Sequence, residues 1–148
     1  MGFTVKKIKE ILKENSLRVT VSRVAVAEVL VKSKDSYLTS EEIHLKISKK
    51  KDVSCDLVSV YRVLAKYEEL GIVKKSEFYN DATRYALEST EGHSAHHHEH
   101  FFKCTECLTI EPFSDCFVSK KEKELESNGY QNLTHHLEIS GLCPSCAS

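Results

Sequence analysis

The sequence predicts an α+β chain in two parts. A helical region closed by a β-hairpin occupies residues 1–89, and a small α/β unit over residues 90–148 is gathered by four cysteines. Three observations carry this prediction. Apolar residues recur at helical spacing in four successive segments before Gly71. Two short strand-like runs then flank the turn residues Asn80-Asp81. Beyond them, Cys104-x-x-Cys107 and Cys143-x-x-Cys146 bracket the end of the chain. The small, polar stretch 89–95 (STEGHSA) marks the boundary between the parts.

In the first part, Val5, Ile8, Ile11 and Leu12 predict a helix ending near Asn15-Ser16. Thr20 and Ser22 are capping residues for a second helix, on which Val26, Val29 and Leu30 share a face. After the polar loop 33–36, Thr39-Ser40-Glu41-Glu42 starts a third, which buries Ile43 and Ile47. The fourth runs from about Asp56 to Leu70 and is closed by Gly71. Its apolar stripe is Leu57, Val60, Leu64 and Tyr67, with Val58, Ser59, Arg62, Ala65 and Lys66 on the other side. Strands follow at Ile72 to Phe78 and Thr83 to Leu87, so the order is that of a winged helix-turn-helix. The second part reads strand, strand, helix from Ser114 to Ser127, stop at Asn128-Gly129, and strand from Leu133 to Leu142. A unit of about 55 residues is marginal alone and calls for a metal or a partner subunit.

The 148 residues are 41% apolar and 29% charged, a globular rather than a disordered balance. No apolar run reaches the ~20 residues of a membrane span, and no secretory signal is visible, so a cytoplasmic protein is expected. The net charge of -1 conceals an asymmetry: residues 1–85 hold 17 Lys+Arg against 12 Asp+Glu, and residues 86–148 hold 4 against 10. The basic half is the one suited to a polyanion such as double-stranded DNA. On the exposed side of the fourth helix, Ser59 and Arg62 can reach bases or phosphates, with Tyr61 at the flank.

In a reducing compartment, paired CxxC turns read first as metal ligands. Two such turns complete a closed tetrahedral zinc site, and the 35 residues between Cys107 and Cys143 make it a clamp on the ends of the unit. A redox dithiol and a rubredoxin-type iron site use the same residues. The run His96-His97-His98-Glu99-His100 offers imidazole and carboxylate donors for zinc, ferrous iron, manganese or nickel. On an extended strand His96, His98 and His100 fall on one face and His97 with Glu99 on the other, and His135 or His136 can join from a second strand. A His-rich loop that binds metal only adventitiously is the alternative. Cys116 reads as a buried free thiol, with assistance to a thiolate-oxidation response as the other reading. A four-cysteine site has no open coordination position, and neither a nucleophile–base pair nor a phosphate loop is present, so an enzyme acting on a small organic substrate is not expected.

These motifs, in this order, resemble the ferric-uptake-regulator (Fur) family. The resemblance rests on Leu17-Arg18-Val19-Thr20 with Arg23, on Leu57-Val58-Ser59-Val60-Tyr61-Arg62-Val63-Leu64, on Gly71-Ile72-Val73 and Tyr85-Ala86-Leu87, on His96 to His100 before the first CxxC, and on the closing CxxC. It covers almost the whole chain. It implies a homodimeric repressor whose N-terminal domain binds an AT-rich palindrome. The C-terminal domain would dimerise and hold a cysteine-bound zinc, and a second, regulatory divalent metal would favour the DNA-binding state. It also implies that Tyr61 and Arg62 read DNA, with Val58, Ser59 and Lys66 on the same helix face, and that Arg18, Thr20 and Arg23 lie near the DNA backbone.

The regulatory ligands depart from the family's iron- and peroxide-sensing pattern. Tyr37 stands where those members have His, Ala86 where they have an acid, and Pro112 where they have another, with Glu111 one place early. Glu88 occupies the position of a zinc-sensing ligand that is usually Cys, and His135 matches a dimer-domain ligand. Three residues rather than two separate His100 from Cys104, so a bulge there would decide which histidines share a face, and the extra residue offsets the early Glu111. The resulting expectation is a structural zinc on Cys104, Cys107, Cys143 and Cys146, and a regulatory zinc or ferrous ion drawn from Glu88, His96, His97, His98, Glu99, His100, Glu111 and His135. A peroxide-sensing regulator of the same fold, losing its zinc on thiolate oxidation, and a metal storage or delivery protein are the other classes.

Overall fold

The computed structural model describes residues 2–34, 36–77, 82–88, 100–113, 116–135 and 137–148. It divides into two compact units, Met1–Gly92 and His93–Ser148.

The helices of the first unit begin where side chains can satisfy the free N–H groups of a first turn. Thr4 accepts from the Lys7 N–H at the start of α1 (Val5–Glu14), and Thr20 from Arg23 N–H at the start of α2 (Val21–Lys32). Thr39 opens α3 (Ser40–Ser48) with a reciprocal capping box, its hydroxyl accepting from Glu42 N–H while the Glu42 carboxylate accepts from Thr39 N–H. Asp56 accepts from Ser59 N–H at 2.6 Å and opens α4 (Leu57–Glu69). The chain leaves α4 through Leu70 and Gly71, the latter at φ 67°, the left-handed conformation that glycine adopts without a Cβ clash.

The four helices bury Ile8, Leu12, Val26, Leu30, Ile43, Ile47, Val60, Leu64 and Tyr67 in one core. The Tyr67 hydroxyl donates to the Arg23 carbonyl at 2.7 Å, so α4 is tied to the start of α2 and the buried phenol is satisfied. Against the helices lies an antiparallel sheet in the order β1 (Leu38–Thr39), β3 (Arg84–Leu87), β2 (Val73–Ser76). Val73 pairs with Leu87 and Ser76 with Arg84. The two-residue β1, absent from the sequence reading, pairs Leu38 with Tyr85. Arg84 and Ala86 are buried on one face of β3. Arg84 Nη1 donates to the Tyr37 carbonyl at 3.2 Å and lies 3.4 Å from the Glu42 carboxylate that closes the capping box. The fold is thus the helix-turn-helix with a hairpin that the periodicity predicts.

The second unit is a three-stranded sheet, β5 (Ile110–Phe113), β4 (His100–Cys104), β6 (Glu138–Gly141), with α5 (Ser119–Ser127) between β5 and β6 in the chain. β4 pairs antiparallel with β5 and parallel with β6. Its register with β5 runs unbroken from His100↔Phe113 to Lys103↔Ile110, so no bulge interrupts the segment that carries the extra residue before Cys104. Two predicted boundaries move. The helix begins at Ser119 rather than Ser114, because the chain at Cys116 to Val118 forms a turn whose Cys116 carbonyl accepts the Ser119 hydroxyl at 2.7 Å. The last strand begins at Glu138 rather than Leu133, because His135 turns toward α5 instead of joining the sheet.

Candidate metal centres and nucleic-acid interface

β4 carries the first ligand of two clusters. His100 and Cys104 are four residues apart, so they face the same side of the strand about 13 Å from each other. Both are buried.

Around Cys104 the four cysteines come together, their sulfurs all within 4.8 Å of one another. The parallel pairing of β4 with β6 sets Cys104 opposite Gly141, and the second CxxC follows immediately. Each CxxC is a tight turn: Leu108 N–H donates to the Cys104 carbonyl with Leu108 at φ 59°, and Cys146 N–H donates to the Cys143 carbonyl at 2.9 Å. Cys107 Sγ lies 3.7 Å from Cys143 Sγ. Four thiolates on a tetrahedral ion with Zn–S bonds of about 2.3 Å would stand about 3.8 Å apart, so the spacing fits zinc. Two of the donors, Cys104 and Cys107, are favoured as thiolates. The Cys143 N–H, 3.4 Å from Cys104 Sγ, and the N–H of Cys107 lower the Cys104 thiol to about 6. The Thr109 hydroxyl lowers Cys107, whereas Cys143 and Cys107 beside it push Cys146 up to about 12. Four crowded sulfurs cannot all hold negative charge without a cation between them.

The second cluster is His100, Cys116 and His135. His135 Nε2 lies 3.3 Å from His100 Nε2 and 3.4 Å from Cys116 Sγ, and its ring centroid is 5.0 Å from that of His100. A tetrahedral zinc with bonds of about 2.05 Å to nitrogen and 2.3 Å to sulfur would separate the donors by about 3.3 Å (N to N) and about 3.6 Å (N to S). An octahedral ion with the same N bonds would bring neighbouring nitrogens to about 2.9 Å. The two separations from His135 Nε2 fit the tetrahedral ion. Behind His135, the Glu122 carboxylate of α5 lies 2.6 Å from Nδ1.

Of the ligands expected from sequence, the structure brings Cys104, Cys107, Cys143 and Cys146 together, and His100 with His135. Glu111 is exposed on β5 and stands outside the second cluster, and Glu88 is half-buried at the end of β3 in the first unit. His96, His97, His98 and Glu99 lie outside the described residues, as does His136. Cys116 is a free thiol as read, but half-buried rather than buried, and its sulfur lies beside the two imidazoles. Cys116 and Glu122 are the members that sequence reasoning missed. Where the family pattern has a His and an acid in the first unit, Tyr37 is packed beneath the Lys74 ammonium at 5.5 Å from its ring centre, and Ala86 is buried in the sheet.

The outer side of α4 presents Val58, Tyr61 and Arg62 to solvent. Ser59 is half-buried, and Lys66 is half-buried and paired with Glu69. The Tyr61 hydroxyl donates to Glu41 of α3 at 2.5 Å, which lowers the Glu41 carboxyl and raises the phenol. Arg18 is exposed, and its carbonyl accepts from the half-buried Arg23 side chain at 2.5 Å. Thr20 is engaged as the α2 cap.

A helix-turn-helix unit joined to a β unit with a closed four-cysteine centre defines a metal-dependent DNA-binding regulator. The model of the ferric uptake regulator family matches residues 14–140. A "Ferric uptake regulation protein" of Legionella pneumophila is 30% identical over 137 residues, covering 91% of this chain and 95% of that protein. One from Bacillus subtilis (strain 168) is 30% identical over 143 residues, covering 96% and 93%. A solved structure of the ferric uptake regulator of Francisella tularensis, with iron, superposes with a TM-score of 0.74 at 26% identity, covering 89% of this chain and 96% of that one. The chain belongs to the ferric uptake regulator (Fur) family, and it is a metal-responsive transcription regulator of that family, not an enzyme. No helix among the described residues is long and apolar enough to cross a membrane.

Proposed function

We propose that this regulator is a zinc-responsive repressor that binds palindromic operator DNA as a cytoplasmic homodimer and controls genes of metal uptake or homeostasis. The His100–Cys116–His135 cluster carries this reading. A cysteine sulfur beside two imidazoles, with His135 Nε2 at tetrahedral spacing from both partners, is a donor set for zinc rather than for ferrous iron, which the harder carboxylate-rich sites suit better. Zinc on the four cysteines is structural, and zinc on the second cluster is the signal. The donors of His96 to Glu99 are the candidates for completing its fourth position. Arg18, Thr20, Arg23, Val58, Ser59, Tyr61, Arg62 and Lys66 form the DNA-contacting set, with Tyr61 and Arg62 at base edges. Metal acts by population shift: it binds the DNA-competent dimer better than the alternative state and so raises its fraction. About 5.5 kcal/mol of differential binding turns a 1:99 mixture into 99:1.

The test is operator binding by protein that keeps its four-cysteine zinc but has been stripped of the second metal, titrated anaerobically with buffered zinc and, separately, with ferrous iron. Restoration by zinc alone is the expected result. Restoration by iron alone would replace this reading with an iron-responsive one, and high metal capacity without sequence-specific DNA binding would point to storage.

A further inference from the structure

We propose that Glu122 is the positioning residue of the second metal centre: its carboxylate fixes the tautomer of His135 and anchors α5 to the site. The inference rests on the reading of His100, Cys116 and His135 as metal ligands.

A carboxylate oxygen only accepts a hydrogen bond, so at 2.6 Å the proton lies on His135 Nδ1. With the Nδ1 proton held there, a metal meets the ring at its Nε2 lone pair, and Nε2 is the atom that faces His100 Nε2 and Cys116 Sγ. The pair is sheltered, with side chains 12% and 20% exposed, so water competes weakly for either partner. A carboxylate behind a ligating imidazole raises its basicity and holds the ring plane, and loss of such a partner typically costs 10- to 100-fold in metal affinity.

The placement of α5 points the same way. The helix has no side-chain cap, and none of its residues is fully buried. Its packing therefore supplies little to hold it, and the Glu122–His135 contact is a specific attachment between the helix and the segment before β6. Glu122 lies in the first turn of α5, where a negative charge is also favoured by the helix dipole. Metal capture by His135 and the seating of α5 are thereby one event.

The experiment compares wild-type, Glu122→Ala, Glu122→Gln, His135→Ala and Lys120→Gly full-length proteins, all with the four-cysteine zinc in place. Zinc affinity at the second centre is measured by chelator competition, and the His135 tautomer is read from imidazole 15N shifts before the second zinc is added. Glu122→Ala is expected to lose about 10- to 100-fold in zinc affinity and to show a mixed tautomer. Glu122→Gln, which keeps an acceptor oxygen, is expected to lose less and to retain the Nδ1–H form. Lys120→Gly, which weakens the helix without touching the contact, is expected to bind nearly as wild-type. Wild-type affinity in Glu122→Ala, with binding abolished in His135→Ala, would overturn the role of Glu122 and leave the site standing. A loss in Lys120→Gly equal to that in Glu122→Ala would reduce Glu122 to a general support of the helix and overturn the proposal. Wild-type affinity in His135→Ala would remove the site itself.

Discussion

At the residue scale, the identity of one sulfur sets the metal preference. Replacing Cys116 Sγ by a hydroxyl keeps the shape of the second cluster and removes its soft anionic donor. Cys116→Ser is therefore expected to retain one tightly held zinc per chain, on the four cysteines, and to lose at least about tenfold in affinity for the second. Metal analysis after graded chelation checks this. Tyr61 is a second such residue. Its ring is about half exposed on α4 and its hydroxyl is oriented by Glu41. Tyr61→Phe is expected to fold normally and to weaken operator binding by about 0.5–1.5 kcal/mol, the range of one hydrogen bond. Fluorescence anisotropy on specific and scrambled duplexes distinguishes that loss from a uniform one. The four cysteines were legible in the sequence because each CxxC is a local motif. Cys116 was not, because His100, Cys116 and His135 lie 16 and 19 residues apart in the chain and share no spacing rule. Only the packing of β4, the turn before α5 and the segment before β6 makes them neighbours.

At the scale of elements, helix starts decide where the DNA-facing side chains point. The Ser59 N–H donates to Asp56 at the head of α4, which holds the Asp56 carboxyl below the usual carboxylate range. A depressed folded-state pKa means that the cap's contribution is fully present above the unfolded-state value and is lost as pH falls through the folded-state one. Asp56→Ala is thus expected to lower the melting temperature near pH 7, with the difference from wild-type shrinking as the solution is acidified past that range. Paired thermal melts at several pH values measure it. Caps at Thr20 and Thr39 made the starts of α2 and α3 readable, while α1 and α4 were read from their apolar periods and the caps at Thr4 and Asp56 emerge only in the structure. The two residues of β1 had no period to show, and the early part of the segment predicted to form α5 is diverted by the turn at Cys116.

At the scale of the molecule, the two units are stabilised by different physics. The first has a continuous apolar core built from all four of its helices and its hairpin. Among the described residues of the second, the buried apolar positions are Cys104 and Cys143, while Leu108, Phe117, Tyr130, Ile139 and Leu142 are exposed. A unit with so few fully buried apolar side chains among its described residues gains folding free energy from the metal, because the unfolded chain offers no preformed tetrahedral site. The homodimer proposed above would add to it by covering the exposed apolar residues. Removal of the four-cysteine zinc by a strong chelator at neutral pH is therefore expected to unfold residues 93–148 and leave the helices of residues 1–92 intact. Calorimetry would then show a surviving cooperative transition of the first unit, circular dichroism would retain most of the helical signal, and sizing would report loss of the dimer. Zinc restored under reducing conditions should return the second unit. A single transition that vanishes entirely with the metal would show instead that the helical unit cannot stand without its neighbour, and its apolar core would then be insufficient despite its extent.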